Sequence, residues 1–240
     1  MASTITLYQE IRGVVQRFTT HLHFDAFLKT TGRKLALTLT DILTLALFKQ
    51  ANSIATKRSL YKICEPNCSY KTLVVNLNRW AYLAAIILAL IMKLNRANQH
   101  PVKHIDSTDI PVCLFKNANA HKTMRALSAF GRSSKGIFFG LKLHIITDLA
   151  RKLLKIRFTA GDVGDREVVL PTTEEIWGIL VADAGYISKK LSQAFNQEGR
   201  RLLFAKPRSN MKKLMTKFQE WLYDTRAIIE INFRCLKMFY

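Results

Sequence analysis

Three carboxylates in this chain lie in apolar surroundings. Asp106 falls in "VKHIDST", which reads as a strand. Asp183 follows the apolar run in "GILVADAGY", the pattern of a strand buried on both faces. Glu230 sits between Ile229 and Ile231 in "YDTRAIIEINFRCLK", where a carboxylate is costly unless it has a partner. In open α/β sheets, sites gather outside the carboxyl ends of strands. Asp106 and Asp183 can therefore share one edge, and a closing helix can bring Glu230 to it. Two aspartates and a glutamate form an all-oxygen, anionic set that suits a hard cation such as Mg²⁺ or Mn²⁺. Two such ions can activate a water or hydroxyl and stabilise the leaving oxygen of a phosphodiester. Without a cation, crowded carboxylates repel one another and their pKa values rise.

Each residue also has an ordinary reading. Asp106 in "DSTD" can be a turn or cap residue, and Asp183 before Ala184 and Gly185 can be a turn aspartate. Asp109, Asp162 and Asp165 are further carboxylates near strand ends, so composition alone does not choose the set. On one continuous helix at about 100° per residue, Arg226, Glu230, Arg234 and Lys237 fall within about 60° of Tyr223. This thin polar stripe on an otherwise apolar helix suits a helix that faces a site and is packed elsewhere. The alternative is an intrahelical salt bridge from Glu230 to Arg226 and Arg234.

The whole chain constrains what such a site acts on. Its 240 residues carry 37 Lys and Arg against 17 Asp and Glu, a formal net charge of +20. That imbalance points to a polyanion, either nucleic acid or an acidic membrane surface. The longest apolar run, "WAYLAAIILALIM", is shorter than the roughly 20 residues that span a bilayer, and no signal-sequence pattern opens the chain. The expectation is a soluble, cytoplasmic protein whose partner is nucleic acid and not membrane. Cys64 and Cys68 form a lone pair without a second pair or nearby histidines, so they read as reduced thiols and not as a zinc site.

The elements that must position the carboxylates begin near Gln99. Residues 1–98 read as helical: "TITLYQEIRGVVQRF", then Asp41 to Gln50 with Thr40 as N-cap, then about Tyr70 to Asn95. A basic link with Lys57, Arg58 and Lys62 lies between the last two. The region suits a DNA-binding bundle, with a helical dimerisation domain as the alternative. Residues 99–240 read as βββαβαβα, an α/β fold with its first three strands antiparallel. In it, "GIFFGLKLHIITD" is a half-buried strand with Lys142 and His144 outward, paired with "LLKIRFTAGD". "DREVVLPTTEEIW" is a short helix interrupted by Pro171, and one helix closes the chain.

Four blocks together resemble the DDE transposases of bacterial insertion sequences, and most nearly the insertion-sequence family catalogued as 982. They are "HIDSTDIPVC", "RSSKGIFFGLKLHIITD", "FTAGDVGDREVV" with "VADAGYIS", and "YDTRAIIEINFRCLK". The last matches the signature Tyr-x2-Arg-x3-Glu-x6-Lys at Tyr223, Arg226, Glu230 and Lys237. The resemblance implies an RNase H-like catalytic domain in which Asp106, Asp183 and Glu230 bind two Mg²⁺ or Mn²⁺ ions. It further implies double-stranded DNA as partner, both element terminal repeats and target, bound by a homo-oligomer. Arg226 and Lys237 would then hold phosphates, Tyr223 would stack on a base or bond to a phosphate, and Arg132 and Lys135 would extend the anionic track. Lys206, Arg208, Lys212 and Lys213 would continue that track.

The chain departs from the family in two places. Ala184 stands where a basic residue usually follows the second aspartate, and the sequence ends at Tyr240 where family chains continue. The expectation is a metal site that forms, a weakened phosphate contact at Lys237, and slower cleavage than in a longer chain. Rival readings are a shortened, non-catalytic DNA-binding remnant and a host nuclease on the same fold.

Overall fold

The computed structural model describes residues 4–24, 26, 36–133, 135–196, 200–205, 207 and 215–237, the side chains of 235–237 excepted. It forms two compact units, one up to Ile91 and one from Met92 to Lys237.

The first unit holds α1 (Thr4–His21), α2 (Leu39–Ala51), α3 (Lys57–Cys64) and most of α4 (Tyr70–Ala97). Val15, Leu39, Leu43, Leu60 and Leu73, one or two from each helix, are fully buried together and form its core. A cap and an element differ from the sequence reading. Thr38, and not Thr40, caps α2: its hydroxyl accepts from Asp41 N, and the Asp41 carboxylate accepts from Thr38 N. This reciprocal box satisfies two amide donors that would otherwise be orphaned, which a cap at Thr40, two residues later, could not do with Asp41 as partner. The basic link contains α3, where the Thr56 hydroxyl accepts from Ser59 N. Helix α4 spans 28 residues and is long and apolar enough to cross a membrane by length and composition. The sequence reading missed this because Arg79 and Lys93 break the apolar run without breaking the helix. Its Leu73, Leu77, Leu83 and Ile87 are buried in the core of this unit.

The second unit is a mixed six-stranded sheet with helices. Its strands are β1 (Val102–Pro111), β2 (Ala129–Ser133), β3 (Gly136–Asp148), β4 (Leu153–Ala160), β5 (Gly178–Ala182) and β6 (Arg201–Ala205). They lie in the order β2-β3-β1-β5-β6, with β4 also pairing β3. All pairings of β3 are antiparallel, whereas β1–β5 and β5–β6 are parallel. The short strand β2, "AFGRS", was not foreseen, because five residues with a central glycine carry too little alternation to read. That glycine is required: a Cβ on Gly131 would collide with the carbonyl of Gly161.

Strand β3 is buried on both faces, not half-buried as its alternation suggested. His144 is fully buried and Lys142 nearly so. Their polar ends have partners: His144 Nε2 meets Thr159 Oγ1 at 2.8 Å, and Lys142 Nζ donates to Val163 O at 2.8 Å. Alternation reports polarity, not exposure, so partnered polar groups mislead it. Lys103 on β1 is also fully buried, its ammonium bonded to Trp177 O and 4.0 Å from the Trp177 ring centre.

Helices α5 (Asp165–Thr172) and α6 (Lys189–Asn196) bury Val169, Leu191 and Phe195 with Ile105, Ile146 and Leu180 of the sheet. Pro171 is accommodated near the end of α5, where few hydrogen bonds remain to be lost. The closing helix is two helices, α7 (Lys217–Asp224) and α8 (Ala227–Lys237), with Thr225 and Arg226 at the corner. Ile229 and Phe233 of α8 are buried against Leu143 and Ile145 of β3.

Candidate active site

The sheet brings the two aspartates together through its register. Strands β1 and β5 pair in parallel from Val102↔Ile179 to His104↔Val181. Asp106 and Asp183 each lie two residues beyond that last rung. Equal offsets with a side-chain period of two place both side chains on the same side at the same edge. Asp106 still pairs with Ile145 within β1, so it is neither a turn nor a cap residue. Asp183 precedes the 3-10 turn Ala184–Tyr186 without capping it through its side chain.

One guanidinium joins the two carboxylates. Arg226 Nη2 donates to Asp106 Oδ2 at 3.0 Å, and its Nη1 donates to Asp183 Oδ1 at 3.2 Å. Tyr223 stands beside it, with the Arg226 guanidinium carbon 5.9 Å from the ring centre. The corner that aims Arg226 is held by a short chain of hydrogen bonds. Thr225 Oγ1 donates to Leu222 O at 2.6 Å and lies 2.8 Å from His104 Nε2. The threonine has a single hydroxyl proton, already given to Leu222, so His104 must donate from Nε2. A hydroxyl that bonds back to the preceding turn competes with the regular helix ladder. The helix breaks there, and Arg226 leaves the stripe to face the sheet.

These surroundings set the charges. Burial raises the Asp106 carboxyl above its usual range, against the opposing pull of Arg226 and of the Ser107 amide 2.8 Å from Oδ1. Burial also works against the charge of Arg226, but Asp106 and Asp183 outweigh it and hold its pKa above the ordinary value. His104 is pushed down to about 4 by burial and then by Arg226, which keeps it neutral.

The pair opens into a cavity of about 630 Å³, lined by Asp106, Asp183, Arg226, Arg132, Lys135 and Lys142 among others. Five of the residues singled out in the sequence, Asp106, Asp183, Arg226, Arg132 and Lys135, thus share one cavity, and Tyr223 stands behind Arg226. Glu230 is exposed on α8, one turn from Arg226, and is not among the cavity's lining residues. No salt bridge links Glu230 to Arg226 or Arg234 among the described residues. The Lys237 side chain, and Lys206, Arg208, Lys212 and Lys213, lie outside the described residues. Sequence reasoning missed Lys142 and the His104–Thr225 pair, because a histidine and a threonine 121 positions apart carry no signal of contact.

A family model described as a transposase DDE domain matches residues 96–240, more than half of the chain. The chain belongs to the DDE transposase family. No curated protein matches it. Among solved structures, it is similar to a piggyBac transposase in a synaptic complex with hairpin DNA. The two share 12% identity, with a TM-score of 0.43 over 90% of this chain. The chain spans 53% of that transposase's length.

Members of a DDE family are expected to hold divalent ions, and the donor chemistry here fits one. Asp106 and Asp183 are two hard oxygen donors that already converge on a single cationic group at 3.0 and 3.2 Å. Among the described residues no group of three or more His, Cys, Asp or Glu is assembled as a metal site.

Proposed function

We propose that this DDE domain is the RNase H-like catalytic domain of a transposase encoded by a bacterial insertion sequence, acting in the cytoplasm. It binds the terminal repeats of its element, cleaves the strand at each end, and joins the freed 3′-hydroxyls to target DNA. The observation that carries this reading is the convergence of Asp106 and Asp183 on one cation in a cavity rimmed by Arg132, Lys135 and Lys142. Anionic donors at the centre suit a metal, and cations at the rim suit the phosphates of the strand on which that metal works.

Asp106 and Asp183 would hold Mg²⁺ or Mn²⁺ together with Glu230. When bound, such ions polarise the scissile phosphate and activate the attacking water or hydroxyl. The register of β1 and β5 fixes the two aspartates, so their placement needs little reorganisation. Arg226 neutralises them in the absence of another cation and can transfer its two hydrogen bonds to a phosphate, an equally good bidentate acceptor. Lys142 is tethered to Val163 O and Asp165, so it sets positive potential in the cavity from a fixed position. Residues 1–98 select the terminal repeats, and the protein acts as a homo-oligomer on DNA. The main alternative, a DNA-binding remnant without cleavage, is favoured by the exposure of Glu230.

Incubating the full chain with its element's terminal DNA and Mn²⁺ tests the proposal. Strand cleavage at the element ends, lost in Asp106→Asn, supports it. Binding without cleavage under all divalent ions favours the remnant.

A further inference from the structure

From Ile110 to Thr147 the chain has no acidic residue, while it carries Lys116, Lys122, Arg125, Arg132, Lys135 and Lys142. Seventeen acidic residues are spread over the rest of the chain, so this stretch concentrates positive charge beside the candidate active site, with Lys142 alone among these six paired to a carboxylate, that of Asp165, among the described residues. It also exposes large apolar side chains that no core covers. Phe115 is 56% exposed, Phe130 48% and Leu127 62%. The two phenyl rings are neighbours, with centres 5.9 Å apart and planes at 68°. Phe130 is backed by Phe139 at 5.0 Å, its partner in the β2–β3 register. It is a ring held from behind and open in front.

The placement of this pair relates it to the catalytic cavity. Phe130 and Arg132 are two residues apart on β2, so they project from the same face, about 7 Å apart along the strand. Arg132 lines the cavity that contains Asp106 and Asp183. A strand whose phosphate is held at Arg132 therefore runs past the exposed ring. In a duplex the base faces are stacked on each other and cannot use such a ring. An unpaired base offers both faces, and supported aromatic rings flanked by cations are the usual platform for single strands.

We propose that Phe115 and Phe130 form a stacking platform for unpaired nucleobases of the DNA strand next to the cleavage point, with Arg132 holding its phosphate. This rests on the functional reading above and adds a ligand to it: single-stranded DNA beside the cut, not only duplex. Exposed apolar rings without cations would suit a protein partner equally well. The absence of any acidic residue over this stretch selects the polyanion.

The test compares the full-length protein with Phe115→Ala/Phe130→Ala by fluorescence anisotropy at fixed salt, on an oligothymidine and on a blunt duplex of matched length. The variant should bind oligothymidine about tenfold more weakly or worse, the scale of one lost base stack, with duplex affinity unchanged. Phe115→Tyr/Phe130→Tyr keeps the ring faces and should keep oligothymidine affinity, which separates stacking from any loss of folding in the alanine variant. Equal losses on both DNAs with the tyrosine variant also impaired, or no loss with alanine, overturns the platform. Wild-type protein that binds duplex but not oligothymidine overturns the platform and leaves the functional reading standing. Wild-type protein that binds neither overturns that reading itself.

Discussion

The sheet and α8 each carry part of the expected metal set, and they hold it differently. Asp106 and Asp183 are placed by backbone register, two residues beyond a shared rung, and their side chains already meet one cation. Glu230 is placed only by the packing of the helix that bears it, through Ile229 and Phe233, and its own side chain is exposed. Strand register allows only discrete slips, and a one-residue slip turns every side chain to the other face. A docked helix shifts or rotates by small amounts at little cost. In the proposed site, the two aspartates would therefore be a fixed floor and Glu230 the adjustable arm.

The largest effects should come from the floor. Asp106→Asn and Asp183→Asn should each reduce strand cleavage by more than about a hundredfold, since losing a metal ligand costs more than losing its supporting shell. Both variants should keep the wild-type circular dichroism spectrum. Glu230→Gln should abolish cleavage to a similar degree if α8 delivers it, and the double variant Asp183→Asn/Glu230→Gln should be no worse than either single one. Additive losses in single-turnover assays would show that floor and arm act separately.

An intermediate effect should follow from loosening the arm. Ile229→Ala removes a fully buried side chain between α8 and β3 and should cost about 2–5 kcal/mol in chemical denaturation. Cleavage should fall while oligonucleotide affinity is kept. Thr225→Val deletes the hydroxyl that links His104 to the corner and should weaken both the corner and the aim of Arg226, whereas Thr225→Ser should restore them. Mn²⁺ affinity, read by electron paramagnetic resonance, separates this from a general loss of stability, because only mis-aimed Arg226 changes competition for the carboxylates.

A smaller effect concerns acid. Burial lowers His144 from 6.5 to about 4, and His104 behaves likewise. Between those pH values the unfolded chain binds more protons than the folded one, so stability rises with pH there. Tm should fall as pH drops from 6.5 toward 4, with no such loss above 6.5. His144→Gln should show a shallower decline over the same range.

The site was partly legible in the sequence for the same reason that its two halves differ. Carboxylates on or at the end of strand-like runs marked Asp106 and Asp183 as candidates, although Asp109, Asp162 and Asp165 lie near strand ends too and left the choice open. The strand order followed from runs that are long and regular, such as Gly136–Asp148. What escaped were features made by side-chain hydrogen bonds between distant segments. The corner at Thr225 depends on His104 of another element. Without it, "YDTRAIIEINFRCLK" reads as one unbroken helix with Arg226 and Glu230 on one stripe. The cap at Thr38 and the short strand β2 escaped because each rests on very few residues.

The central claim is that Asp106 and Asp183 form the metal-holding floor of a DNA-cleaving site. The most direct measurement is Mn²⁺ binding to wild-type protein and to Asp183→Asn, followed by single-turnover cleavage of terminal-repeat DNA by the same samples. The account predicts that wild-type protein binds Mn²⁺ and cleaves at the element ends, and that Asp183→Asn loses both while retaining its fold and DNA affinity. An Asp183→Asn protein that binds Mn²⁺ as tightly as wild type and cleaves at the same rate would contradict it.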